Sequence, residues 1–366
     1  MYAPVLSMTC RDLSYVAAIT AEQWAYPSEP EYLCLEWIRA YSFRQKAVTA
    51  AVQPSTLEGR SMEVAQLNGH SVQDSYRQLA MRFDHEHAAV WCYMQPAARP
   101  CFTLELLAEM RQLQCAVEQQ ARNDHLNGNS QGLRYQVLAS RTPGVFNLGG
   151  DLVLFLEAIR NRDRDGLFRY AKSCIDMLYN TAVSYNLPVT TISLVQGDAL
   201  GGGFEAALAS NVLIAERRAQ MGLPEVLFNL FPGMGAYTLL ARRLDPARAE
   251  KIILSGKIYS AEELYEMGVV DVLANDGEGE QAVYTYIKKQ NQANQGYQAV
   301  RRIRQRYQPI DYQELLDITG QWVDAALQLQ GKDLRIMERL AHSQNRLVQP
   351  PLAERRAPDS PLRVKP

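Results

Sequence analysis

Two glutamates, Glu205 and Glu225, stand twenty positions apart in surroundings otherwise dominated by glycine and apolar side chains. Poor solvation raises a carboxyl pKa towards neutrality, where it can both give and take protons. Glu205 closes the run Leu194-Val195-Gln196-Gly197-Asp198-Ala199-Leu200-Gly201-Gly202-Gly203-Phe204-Glu205. This reads as a buried strand entering three glycines and then an alanine-rich helix. Such a junction leaves N–H groups unpaired at a helix N-terminus, where the macrodipole also favours negative charge. The plainer reading is that Glu205 only complements the dipole. A phosphate loop is excluded, because no Lys-Ser/Thr pair follows the glycines. Glu225 lies in Met221-Gly222-Leu223-Pro224-Glu225-Val226, inside an apolar stretch from Leu223 to Leu230 that leads into Phe231-Pro232-Gly233-Met234-Gly235. Alone, it would pass for a surface residue at a helix start. A third segment, Val145-Phe146-Asn147-Leu148-Gly149-Gly150-Asp151-Leu152, follows a strand. Its paired glycines permit a tight turn and close approach to another molecule. Alone, it is a strand-to-helix turn capped by Asp151.

The elements that must position these segments alternate. Val90–Met94, Tyr135–Ala139, Val189–Val195 and Val212–Ala215 read as strands, with helices at 102–114 and near 164–186. Strands separated by helices of this length argue for βαβ units and an α/β fold. After Pro246 the pattern is mostly helical, apart from the apolar segment Val269–Leu273. A helix is expected at 30–52, with Leu33, Trp37, Ile38 and Tyr41 on one face, and a linker at 53–74. The tail from Leu347 carries five prolines and reads as disordered. The expected units are an N-terminal extension (1–75), a core (76–275), a C-terminal helical region (276–346) and the tail (347–366).

With 366 residues, 47% of them hydrophobic, the chain can bury a sizeable core, and its net charge of −2 offers no footprint for nucleic acid. Cys10, Cys34, Cys92, Cys101, Cys115 and Cys174 are scattered and lack metal-ligand spacing, so they read as reduced core thiols. No apolar run is long enough for a membrane span, and the first twenty residues do not read as a signal peptide. A cytoplasmic location is expected. His70, His85, His87, His125 and His342 read as surface or structural residues. Arg160, Arg162 and Arg164 alternate with acids in what reads as a solvated turn.

The three segments, in this order, resemble the crotonase superfamily of enoyl-CoA hydratases and isomerases over roughly residues 85–275. More closely, Phe146–Leu152, Gly202–Leu208, Gly222–Phe228 and Leu230–Tyr237 look like the diffusible signal factor synthases. Ordinary hydratases usually carry a small residue at the place of Leu148. The resemblance implies a crotonase fold, with a spiral ββα core and C-terminal helices covering the acyl pocket. It implies Glu205 and Glu225 as acid and base, and the N–H groups of Leu148 and Gly202 as an oxyanion hole. Gly149, Gly150, Gly201 and Gly203 would contact substrate, and Trp322 would either line the acyl pocket or pack in the core. Neither cofactor nor metal is implied. The partner would be an acyl carrier protein or a CoA thioester, and the assembly a trimer or a multiple of it.

A proton alpha to a thioester is too weakly acidic for an unaided carboxylate. Two amides aimed at the carbonyl oxygen stabilise the enolate as its charge develops. The preferred reading is dehydration of a 3-hydroxyacyl carrier protein followed by thioester hydrolysis, which releases a cis-2-unsaturated fatty acid signal. A conventional enoyl-CoA hydratase is the second reading, and a non-catalytic acyl- or protein-binding scaffold the third. Arg301, Arg302, Arg304 and Arg306 fall within six positions, and would either dock an acidic carrier protein or form a solvated helix face.

Overall fold

The computed structural model describes residues 76–129 and 132–346. The helix expected at 30–52, the linker after it and the tail from Leu347 lie outside these residues. The described chain opens with β1 (Leu79–Asp84), β2 (Ala89–Met94) and α1 (Leu104–Leu126), then β3 (Tyr135–Ser140) and β4 (Val145–Asn147). Next come α2 (Leu152–Arg160), α3 (Arg164–Ala182), β5 (Thr190–Val195), β6 (Asp198–Leu200) and α4 (Gly202–Ala209). β7 (Val212–Glu216), β8 (Gln220–Gly222), α5 (Ala236–Arg243), α6 (Pro246–Ser255), β9 (Ile258–Ser260) and α7 (Ala261–Glu266) follow. After β10 (Val272–Ala274) the rest is helical: α8 (Gly279–Gln292), α9 (Asn294–Tyr307), α10 (Tyr312–Ala326) and α11 (Gly331–Arg346).

A six-stranded sheet runs β1-β2-β3-β5-β7-β10, parallel except for the β1–β2 edge. Parallel strands are covered on both faces, so their two alternating sets of side chains enter different packing layers. Trp91, Tyr93, Val137, Ile192 and Ile214 meet Val283 and Ile287 of α8 on one face. Val90, Cys92, Met94 and Leu138 join α1 and α3 in the main core on the other. α1 runs twelve residues beyond the expected end at 114. Thr103 caps its first turn, and Leu106, Met110, Leu113, Val117 and Ala121 recur at helical spacing on its buried face.

The second sheet runs β4-β6-β8-β9 and carries the three glycine- and glutamate-bearing segments. β4, β6 and β8 are mutually parallel neighbours, so their carboxyl ends share one edge. From that edge emerge Leu148-Gly149-Gly150, Gly201-Gly202-Gly203 and Leu223-Pro224-Glu225, the three segments singled out by sequence. α10 and α11 close over this edge with Trp322, Val323, Met337 and Leu340 buried in the main core. Arg160 of α2 pairs with Glu338, and Arg164 of α3 with Asp324, so the turn expected to be merely solvated pins both helices. Exposed pairs of this kind add little, about 0–1 kcal/mol each, and apolar burial carries the attachment. Cys92, Cys101 and Cys174 are buried free thiols, while Cys115 is exposed.

Candidate active site

A cavity of about 70 Å³ lies where the three segments converge. Glu205, Glu225, Gly150, Gly201 and Gly202 line it, and Leu152, Phe155, Met234, Trp322 and Leu340 form much of its apolar wall. Glu205 is buried in the first turn of α4, and its Oε1 accepts hydrogen bonds from Met234 N (2.9 Å) and Ala236 N (3.0 Å). These two amides flank Gly235, whose φ of +113° only glycine holds without strain. The Leu230–Tyr237 run therefore has a structural role, which is to cradle the Glu205 carboxylate. Burial pushes the Glu205 carboxyl up to about 7, against the pull of the two amides.

Glu225 sits in a short 3-10 turn, Pro224–Phe228, at the end of β8. Its Oε2 is buried without a protein partner. Burial first, and then the charge of Glu205, push its carboxyl up to about 8. Glu205 thus has two backbone donors that favour its ionised form, Glu225 Oε2 has none, and the two carboxyls titrate as one coupled pair. Gly201 makes room for this arrangement, since a Cβ there would lie 2.5 Å from Glu225 Oε1.

The amides correct one expectation. Leu148 N–H donates to the Pro100 carbonyl at 2.7 Å and is not available to an oxyanion, although its side chain lines the cavity. Gly149 N–H donates to Asn147 Oδ1 (2.8 Å), and Asp151 N–H to the Tyr170 hydroxyl (3.1 Å). Among the described residues, only Gly150 N–H in this turn has no protein acceptor. Its direction follows from covalent geometry. The Gly149 carbonyl accepts from Phe102 N–H at 2.8 Å, and in a trans peptide the N–H of Gly150 points the opposite way. Gly202 N–H, at the first position of α4, is likewise without an acceptor. The two stretches touch: a Cβ on Gly202 would sit 3.5 Å from Gly150 N. The free pair is Gly150 with Gly202.

Gly149 and Gly203, expected against substrate, serve close packing instead. A Cβ on Gly149 (φ +85°) would meet the Leu200 carbonyl at 2.7 Å, and one on Gly203 would meet the Asn147 carbonyl at 2.0 Å. Asp151 is the expected cap, accepting from Val153 N and Leu154 N, and it also pairs with Arg99. Trp322 combines both roles offered for it, being 2% exposed, edge-on to Phe155 at 5.0 Å, and part of the cavity wall. Trp322→Ala is expected to cost about 3–5 kcal/mol of stability, as large aromatic truncations do. It should also shift turnover towards bulkier acyl chains. Denaturant unfolding and a chain-length series of substrates check the two effects.

Sequence reasoning missed Gln344. This buried residue of α11 donates through Nε2 to both the Leu148 and Gly150 carbonyls at 3.1 Å, and it lines the cavity. It lies far from the glycine segments, in a polar helix end that offers no periodic or motif signal. Arg301 turns inward to the Val189 carbonyl and Thr190, while Arg302 and Arg306 are exposed on α9 beside Ile303 and Tyr307. Among the described residues, no helix is long and apolar enough to cross a membrane.

The family described as enoyl-CoA hydratase/isomerase matches residues 95–310, well over half of the chain. An enoyl-CoA isomerase/hydratase of Zymoseptoria tritici is 32% identical over 187 residues, which are 51% of this chain and 56% of that protein. The match thus spans little more than half of that relative's length. Among solved structures, Pseudomonas aeruginosa DspI is similar at 24% identity and a TM-score of 0.51, covering 66% of this chain and 91% of that one. Human mitochondrial delta3-delta2-enoyl-CoA isomerase is similar at 17% identity and a TM-score of 0.57, covering 74% and 98%. These two likenesses concern the fold. With the three converging segments, the family match places the chain: it belongs to the enoyl-CoA hydratase/isomerase family of the crotonase superfamily.

Proposed function

We propose that the protein dehydrates a 3-hydroxyacyl thioester on acyl carrier protein to the cis-2-enoyl thioester and then hydrolyses it. The released product is a cis-2-unsaturated fatty acid of the kind used in cell-to-cell signalling. The observation that carries this reading is the meeting of Glu205, Glu225 and two acceptor-less amides in one apolar-walled cavity. In the elimination, the carboxylate takes the alpha proton, the C3–O bond breaks, and the protonated partner gives its proton to the departing hydroxyl as water. Gly150 and Gly202 N–H hold the enolate oxygen meanwhile. Hydrolysis reuses the same groups. A carboxylate takes a proton from water as it attacks the carbonyl carbon, the amides hold the tetrahedral oxyanion, and the thiol leaves with that proton. No side-chain nucleophile is called for, and Ser343 at the cavity wall donates its hydroxyl to the Arg339 carbonyl.

The four matched segments support the signal-synthase reading, and the exposed Arg302 and Arg306 offer an acidic carrier protein a cationic surface. The second reading, a conventional hydratase or isomerase of CoA thioesters, draws on the named activity of the 32%-identical relative. Incubation with a medium- or long-chain 3-hydroxyacyl carrier protein separates them. Mass spectrometry should find free cis-2-enoic acid. Accumulation of trans-enoyl thioester alone would establish the hydratase, and turnover of neither thioester would leave a scaffold.

A further inference from the structure

We propose that Gln344 recognises the substrate's 3-hydroxyl: its NH₂ is held by the Leu148 and Gly150 carbonyls, and its Oε1 accepts the hydroxyl's hydrogen bond inside the cavity. The inference rests on the dehydratase reading above and names the group that selects its substrate.

The orientation of this amide is fixed by its partners. A side-chain amide has one donor end and one acceptor end. Two carbonyl oxygens, each at 3.1 Å, face the same terminal atom of Gln344, so that atom is the nitrogen and both of its hydrogens are used. The oxygen at the other end is buried and has no protein partner, on a residue only 4% exposed that lines the cavity. Buried acceptors are rarely left unpaired, because the group gives up its water and gains nothing. Solvent can serve this acceptor in the open cavity, so a ligand that displaces it binds well only if it brings a donor of its own.

The neighbouring groups narrow the choice. Glu205 Oε1 already takes two amides, and Ser343 is bonded within its own helix. Gly150 and Gly202 offer N–H groups, which suit an oxygen of the thioester and not a donor. A thioester carbonyl and a saturated acyl chain contain no donor at all. A 3-hydroxyacyl chain contains one, two carbons from the carbonyl carbon. Gln344 is bonded to Gly150, the residue whose own N–H would hold the thioester oxygen, so its acceptor is placed on the near part of the acyl chain. A site with a buried group waiting for a hydroxyl discriminates strongly against the analogue that lacks it.

The test uses two pantetheine conjugates in which an N-methyl nitrogen replaces the thioester sulfur, so that hydrolysis is blocked, the alpha proton is far less acidic and no donor is added beside the carbonyl. One carries a 3-hydroxyacyl chain, the other the saturated chain of equal length. Calorimetry on the wild type should show the hydroxylated conjugate binding about tenfold or more tightly, the discrimination expected of one unpaired buried acceptor. In Gln344→Met, which is close to isosteric, the two conjugates should bind within about twofold of each other. The saturated conjugate, which makes no use of Oε1, should lose less affinity in the variant than the hydroxylated one, whatever the loss of the bonds to the Leu148 and Gly150 carbonyls costs both. Should Gln344→Met fail to fold, Gln344→Asn withdraws the oxygen by one methylene and is expected to show the same collapse. Equal weakening of both conjugates would overturn the inference, since Gln344 would then act only by holding the Gly149–Gly150 turn or by meeting the pantetheine arm. A hydroxyl preference that survives in the variant would overturn it too. A wild type that binds both conjugates equally would sink Gln344 as selector and leave the dehydratase reading standing. A wild type that binds neither would end that reading itself.

Discussion

Glu225→Gln and Glu205→Gln should each lower the proposed dehydration rate by about 10²–10⁴-fold, the range that a positioned acid or base supplies, and the double variant should be scarcely slower than either. Groups that act in one step lose their joint contribution when either is removed, so their effects do not add. The fold should survive both changes for identifiable reasons. In Glu205→Gln the new amide oxygen would still accept from Met234 and Ala236 N–H, and in Glu225→Gln a neutral amide relieves the buried, partnerless carboxyl. The pH profile follows from the same surroundings. Burial raises Glu205 to about 7, so the ionised base is lost as pH falls through that value. Burial and the Glu205 charge raise Glu225 to about 8, so the protonated acid is lost as pH rises through it. The rate should be bell-shaped with its maximum near neutrality, and its limbs belong to the pair as a unit. In each single variant one of the two limbs should vanish, and which one vanishes tells acid from base. Steady-state rates across pH, with circular dichroism of each variant, check all of this. Near-wild-type dehydration by either variant removes that residue from the mechanism.

Gly202→Pro should lower kcat by about 10²–10³-fold, the usual loss for one oxyanion donor, while Gly202→Ala stays within about tenfold of wild type. Gly202 is the first residue of α4, where a helix does not use its N–H and proline is well accommodated. The alanine control adds a Cβ whose nearest neighbour is Gly149 Cα at 3.3 Å, a tight but local contact, and keeps the donor. The difference between the two variants therefore isolates the amide. A proline variant as active as the alanine variant would leave Gly150 as the sole donor.

Much of the site could be read from the residues because its parts are local. A strand, three glycines and Glu205 are contiguous, and the apolar run around Glu225 announces a poorly solvated carboxyl. Parallel pairing of β4, β6 and β8 then brings the three segments to one edge. What failed was non-local. Whether Leu148 or Gly150 presents its N–H depends on hydrogen bonds with Pro100 and Phe102, almost fifty residues upstream, and no motif records which peptide in a glycine turn is flipped which way. Gln344 and Leu340 reach the cavity from the last described helix, which packs there because of Ile336, Met337 and Ala341 and not because of anything near the glutamates. β1 was not anticipated either, since Leu79–Asp84 is short and polar at its far end, and antiparallel pairing with β2 decides its conformation.

The small size of the cavity has a thermodynamic meaning. At about 70 Å³ it is far below the 300–1,000 Å³ of ordinary ligand pockets, so on the proposed function an acyl tail enters only where lining side chains such as Trp322 and Leu340 give way. Binding would then draw only on the fraction of molecules in which those side chains have parted, and the measured affinity would be the intrinsic one scaled by that fraction. Selectivity between chain lengths would then become a ladder of opening free energies, set on α10 and α11, while the proposed proton transfer would be set at the strand ends. Substitutions that loosen the two helices would raise affinity for every acyl chain at once, without altering a single contact to the reacting carbons.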